Sequence, residues 1–301
     1  MKISMSTMKT ISNEYLTVVI DPQGAEMQSL KHTASGREYL WQGDPAYWEG
    51  RSPILFPAVG GLWDGTYRYN GQTYPMPKHG FMRDKLWQVA EERSDSLTLT
   101  YEGPQEETDR QAFPWAFALT VCYALEGDRL VVTFTVSNKG SETMYFQMGG
   151  HPGFALPDFD EAADVDGFLK LEGDVKDVVR ASEQGCVGPE RFKIPLTEDG
   201  LVPLAVSTFE NEALIFDGGQ LKAATLFDKS RRPLLRVESC APVWLFWSPQ
   251  GVHSPFVCAE PWYGLCDSIG FDSEVSERAY INSLVGGGKW HGGYSITLCA
   301  D

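Results

Sequence analysis

No stretch of twelve or more residues in this chain carries apolar side chains at a clean 3.6-residue period, and that absence limits its fold more than any other feature. Short β-branched runs recur instead, several of them alternating apolar and polar positions. Residues 15–20, 96–101, 117–123 and 129–136 therefore predict strands, bounded by Gly, Asp and Asn. The last two are joined through Glu126-Gly127-Asp128, a hairpin signature. With 30 glycines and 18 prolines, long helices are disfavoured throughout. The expected fold class is all-β, with large antiparallel sheets stacked face to face and few short helices. No repeat at a fixed period and no low-complexity linker interrupts the chain, so residues 1–301 are read as a single domain.

Charge and cysteine usage narrow the function classes. A formal net charge of −16, from 41 acidic and 25 basic side chains, opposes binding to nucleic acid or to anionic membrane surfaces. Met1 to Thr10 is too polar for a signal peptide, and no window approaches the ~20 apolar residues of a membrane span, so a cytoplasmic location is expected. Cys122, Cys186, Cys240, Cys258, Cys266 and Cys299 form no CxxC pair and no zinc-like spacing; they read as buried reduced thiols, with no metal site. Gly286-Gly287-Gly288-Lys289 lacks the hydroxyl residue of a phosphate loop and reads as a surface turn. No cofactor is implied.

Several segments can carry chemistry. His79 and His151 lie in Lys78-His79-Gly80-Phe81 and Gly150-His151-Pro152-Gly153-Phe154, where glycine permits close approach to the imidazole and Pro152 stiffens the chain. His32, His253 and His291 have plainer settings and are read as structural. Glu260 closes an apolar run in Phe256-Val257-Cys258-Ala259-Glu260-Pro261-Trp262-Tyr263, which predicts a strand end and a desolvated carboxyl with a raised pKa, suited to proton transfer. Arg51 heads an apolar run and is a fixed donor to hydroxyls or to a carboxylate. Asp217 precedes Gly218-Gly219, where either sugar binding or ordinary turn chemistry would favour it. Trp41, Trp48, Trp63, Trp244, Trp247 and Trp262 offer faces for sugar stacking, although most should be core.

Taken in order, Arg51-Ser52-Pro53-Ile54-Leu55-Phe56-Pro57, Lys78-His79-Gly80-Phe81-Met82-Arg83, Gly150-His151-Pro152-Gly153-Phe154 and Cys258-Ala259-Glu260-Pro261-Trp262-Tyr263-Gly264 resemble the aldose 1-epimerase (galactose mutarotase) superfamily, in its LacX-like branch. The resemblance implies a galactose-mutarotase-like β-supersandwich with an open sugar cleft. It implies Glu260 as general base, His151 as general acid and His79 as the second histidine at the ring oxygen. Arg51 and Asp217 would bind hydroxyls, with Trp262 beside them. It also implies a small-molecule sugar as the partner, with the protein a monomer or homodimer. One departure stands out: Gly61 follows Ala58-Val59-Gly60, where the family often has arginine or asparagine. Two other readings stay open. One is a hexose 6-phosphate mutarotase using Arg83, Lys85, Arg231 or Arg232, and the other a non-catalytic carbohydrate-binding protein.

Overall fold

Two antiparallel sheets face each other in the computed structural model, which describes residues 7–299. Of the Met1–Thr10 segment, residues 1–6 lie outside that range. The larger sheet has nine strands, running across the layer from Val202–Pro203 at one edge to Gln88–Glu92 at the other. Beside its central strand Lys289–Leu298 lies the hairpin Phe117–Glu126 and Arg129–Asn138, in which Arg129 pairs with Glu126 across Gly127-Asp128. Gly127 has a φ of 63°, which a two-residue turn of this kind demands. Only two short α-helices, Glu107–Ala112 and Val206–Phe209, occur among the described residues.

The second sheet positions the site. Its strands are Leu214–Phe216, Val243–Trp247, Phe256–Tyr263, Met148–Gly150 and Ile54–Leu55, with Gly153–Ala155 pairing alongside Phe256–Tyr263. Strand alternation divides its side chains between two layers. Trp244, Phe246, Val257 and Ala259 point into the main core, which they share with Leu119, Val121, Phe134 and Ile296 of the nine-stranded sheet. Leu245, Trp262 and Ile215 point the other way, into a smaller apolar cluster with Val59, Leu265 and Cys266. The outer face is thus partly covered by loops, and the cleft lies there.

Four of the expectations about single residues need correction. Cys186, Cys258 and Cys266 are buried, but Cys240 is exposed and Cys122 and Cys299 are half-buried. Cys240 lies in the turn beyond Pro233–Glu238, and Cys122 occupies an outward position of an alternating strand. Glu260 is not at a strand end: the strand continues through Pro261 to Tyr263.

Candidate active site

A single register aligns the two central groups. Met148–Gly150 and Gly153–Ala155 both pair antiparallel with Phe256–Tyr263, Gly149 opposite Trp262 and Gly153 opposite Cys258. Carried across the gap, that register sets His151 opposite Glu260. No ladder pair forms there, where Pro261 and Pro152 have no N–H to contribute, although the Ala259 N–H still donates to Pro152 O at 3.1 Å. Residues directly opposite on one face have Cβ atoms about 4.5–5.5 Å apart. The imidazole and carboxyl accordingly meet, His151 Nε2 lying 3.2 Å from Glu260 Oε1.

Both groups are removed from water. Glu260 is fully buried, and its Oε2 accepts a hydrogen bond from Trp262 Nε1 at 3.1 Å. Its Oε1 accepts none from the described residues and faces the histidine. Burial pushes the carboxyl well above its ordinary range, with Trp262, Lys78 and Arg83 opposing. Burial also lowers the His151 imidazole, to about 3, with Arg83 and Lys78 adding to the effect. Burial thus favours the uncharged form of each group. Trp48 stacks on that ring at 4.8 Å, and Trp247 meets it edge-on at 6.0 Å.

His79 has a fixed tautomer. Its backbone N–H donates to Gly60 O, and the Gly60 N–H donates back to His79 Nδ1, each at 3.0 Å. With Nδ1 accepting, the ring proton belongs on Nε2, an assignment made from the hydrogen bond. Burial, then His151, Arg83 and Lys78, hold this imidazole neutral. Such a ring can donate a hydrogen bond from Nε2 but is a poor proton relay. The segment is held by close backbone approach, since His79 and Gly80 both have positive φ and a Cβ on Gly80 would lie 2.1 Å from Phe56 O.

Around these groups opens a cleft of about 310 Å³, at the lower end of small-molecule sites. His79, His151, Glu260 and Trp262 all line it, together with Trp48, Trp247, Lys78 and Arg83. Arg51 and Asp217 do not. The Arg51 guanidinium donates to Gln28 O at 3.0 Å, and its backbone N–H donates to Glu26, so it serves the strand Glu26–His32. Asp217 accepts from Arg191 at 2.7 Å. Trp262, expected to contact sugar, also orients Glu260 through its indole N–H. His253 pairs with Asp166, His291 contacts Thr135 and His32 contacts Ser35, all away from the cleft.

Gly61 now has a reason. A Cβ there would lie 2.6 Å from Gln184 O, so the loop through Gln184 and Gly185 occupies the space a side chain would need. Gly185 itself lines the cleft, as do Ala181 and Glu212. Sequence reading missed these loop residues, which follow no periodicity. Arg83 and Lys78 were visible in their motif; Lys85 instead pairs with Asp109 and Glu106, and Arg231 with Asp199. Donor atoms of His151, Cys258 and Glu260 lie within 4.8 Å of one another, a set zinc could use. Burial, then Glu260, pushes the Cys258 thiol far up, so a metal would first have to displace that proton.

The indole N–H gives a direct test of positioning. Trp262→Phe removes the hydrogen bond to Glu260, a contact of about 1.5–3 kcal/mol when the carboxyl is ionised. We expect a roughly 10- to 100-fold loss in kcat with an alkaline pH limb moved upward, measured as a pH–rate profile. A loss without movement of that limb would assign the tryptophan to packing alone.

Comparison with known proteins agrees in sequence and in shape. Residues 8–271 match the family model described as aldose 1-epimerase. The chromosomal protein LacX of Lactococcus lactis subsp. lactis is 29% identical over 306 residues, spanning 96% of this chain and 98% of LacX. A galactose mutarotase related enzyme from Lactobacillus acidophilus superposes with a TM-score of 0.87 at 30% identity, covering 98% of each chain. A galactose mutarotase-like protein from Lactobacillus casei gives 0.90 at 29% identity, covering 97% of this chain and 100% of its own.

Proposed function

Because the chain belongs to the aldose 1-epimerase family, we propose that it interconverts the α and β anomers of a free hexose, opening and reclosing the ring at Glu260 and His151. The observation that carries this reading is the buried carboxyl–imidazole pair, 3.2 Å apart and open to a sugar-sized cleft. In the opening step the Glu260 carboxylate takes the proton of the anomeric hydroxyl and the His151 imidazolium gives one to the ring oxygen. The C1–O5 bond breaks as C1=O1 forms. Rotation about C1–C2 presents the other carbonyl face. The protonated Glu260 then returns its proton to O1 while His151 recovers the proton on O5, and the ring closes as the opposite anomer.

The pair thus carries one proton throughout. The neutral acid and neutral imidazole favoured in the ligand-free site are the protonation state that follows ring opening. Their direct contact lets the proton pass to His151 before a new sugar reacts. Trp262 favours the carboxylate form that this transfer produces, whereas Lys78 and Arg83 favour that carboxylate and oppose the imidazolium beside it. The His79 Nε2–H supplies a neutral donor to a sugar oxygen, held in place by Gly60.

A pH dependence follows, and its sign is fixed by the directions of the two shifts. At low pH a second proton occupies His151 and no base remains; at high pH the single proton is lost and no acid remains. With His151 lowered to about 3 and Glu260 raised, kcat/KM should stay level between limbs displaced outward from the ordinary values. An acid limb near 6.5, the ordinary histidine value, would contradict the burial argument.

Lys78 and Arg83 at the cleft give some weight to a second reading, an anionic sugar such as a hexose 6-phosphate. Polarimetry of freshly dissolved α-galactose, α-glucose and α-glucose 6-phosphate, with and without protein, decides among these readings. Faster decay of rotation with a free hexose is the expected result. Acceleration with the phosphate alone supports the anionic reading, and no acceleration with any sugar would leave a carbohydrate-binding protein.

A further inference from the structure

Cys258 stands two residues before Glu260 on the same strand, so both side chains leave the sheet on one face, the face on which Glu260 meets His151. The sulfur is fully buried beside Trp41 and Phe256 and has no part in the proton transfers. Gly153, opposite Cys258, has no side chain to crowd it: a Cβ there would lie 3.4 Å from the sulfur.

We propose that Cys258, Glu260 and His151 form a site for a thiophilic divalent ion such as zinc, and that the bound ion stops ring opening by taking the electron pairs with which Glu260 and His151 move protons. The inhibition rests on the epimerase reading; the binding does not.

The geometry is close to what coordination requires. Bonds of about 2.0–2.3 Å to nitrogen, oxygen and sulfur set the ligands of a tetrahedral zinc about 3.3–3.8 Å apart. His151 Nε2 and Glu260 Oε1 are already 3.2 Å apart, and donor atoms of all three residues lie within 4.8 Å of one another. Closing the set thus asks for a movement of about 1 Å at the thiol. Glu260 Oε1 is buried and accepts no hydrogen bond from the described residues, so it is left for a cation. His151 and Glu260 line the cleft and Cys258 does not, so the fourth position faces the cleft, where water can fill it.

The charges balance as well. One bond forms from the ion to sulfur, one to oxygen and one to nitrogen, and the thiol and carboxyl protons leave to solvent. Thiolate and carboxylate then cancel the divalent charge, which suits a site without water. Lys78 and Arg83 at the cleft repel a bare cation, so affinity comes from the coordinate bonds. Magnesium, which demands oxygen ligands, gains little here.

The test titrates zinc chloride into the purified protein while mutarotation is followed by polarimetry, for the unaltered protein and for Cys258→Ala, each against its own metal-free rate. In parallel, Co²⁺ is added and the near-ultraviolet thiolate-to-cobalt charge-transfer band is recorded. We expect zinc to abolish turnover, a chelator to restore it and magnesium to leave it unchanged. Cys258→Ala should need roughly 100-fold more zinc for half-inhibition, the upper end of the loss seen when even an outer-shell partner is removed, and should lack the cobalt band. Cys258→Ser serves the same purpose if the alanine variant does not fold. Equal zinc sensitivity with and without the thiol would overturn the site, as would a cobalt band that survives in the variant or is missing from the unaltered protein. A cobalt band that depends on Cys258, in a protein that turns over no sugar, would uphold the metal site and overturn the epimerase reading together with the inhibitory role.

Discussion

Glu260→Gln is expected to lower kcat for mutarotation by roughly 10²- to 10⁴-fold, the range supplied by a positioned acid–base group. The amide keeps the shape of the carboxyl and its contact with Trp262, so sugar binding should remain measurable by calorimetry. Loss of rate without loss of binding identifies proton transfer as the missing function. The effect should be large because in the proposed mechanism Glu260 acts twice per turnover, first removing the O1 proton and later returning it, and an amide can do neither. Wild-type rates in the variant would take Glu260 out of the mechanism.

A loss of similar size is expected for His151→Asn, and the informative quantity is the double variant. In the proposed scheme the two groups, 3.2 Å apart, share one proton and act as a unit. Glu260→Gln combined with His151→Asn should be little slower than either single variant, because removing one partner already disables the exchange. Multiplying losses in the double variant would mean that the two residues act independently, against the shared-proton scheme. The stack of Trp48 on the imidazole predicts, besides, that the Asn variant folds, since asparagine leaves that tryptophan packed against Phe256 and Trp247.

Much of this arrangement was legible before the fold was known. Period-two alternation gave the strands at residues 96–101, 117–123 and 129–136, and the Gly127-Asp128 turn gave their hairpin. The Glu260 segment announced a desolvated carboxyl because an apolar run surrounds it, and the direction of its shift follows. What could not be read were contacts set by distant partners. Arg51 is claimed by Glu26 and Gln28, more than 20 positions away, and Asp217 by Arg191. Nothing local distinguishes a guanidinium that faces a cleft from one that braces a strand. The loop walls at Ala181, Gly185 and Glu212 were invisible for a different reason: a positive φ at a glutamate leaves no compositional mark. Gly61 was noticed as a departure, yet its cause, the Gln184 carbonyl, comes from a segment over 100 residues away.

The interrupted ladder opposite Pro261 bears on how such a protein can change. Glu260 and His151 keep their spacing because neighbouring strands keep their alignment: Val243–Trp247 pairs with Cys258–Trp262 on one side, and Met148–Gly150 and Gly153–Ala155 pair with the two ends of Phe256–Tyr263 on the other. Part of the cleft wall, at Ala181, Gly185 and Glu212, comes from loops with no part in that alignment. Insertions or substitutions in those loops can therefore retune which carbohydrate is accepted while the reacting geometry stays as it is. Recognition can drift over a chemistry that stands still.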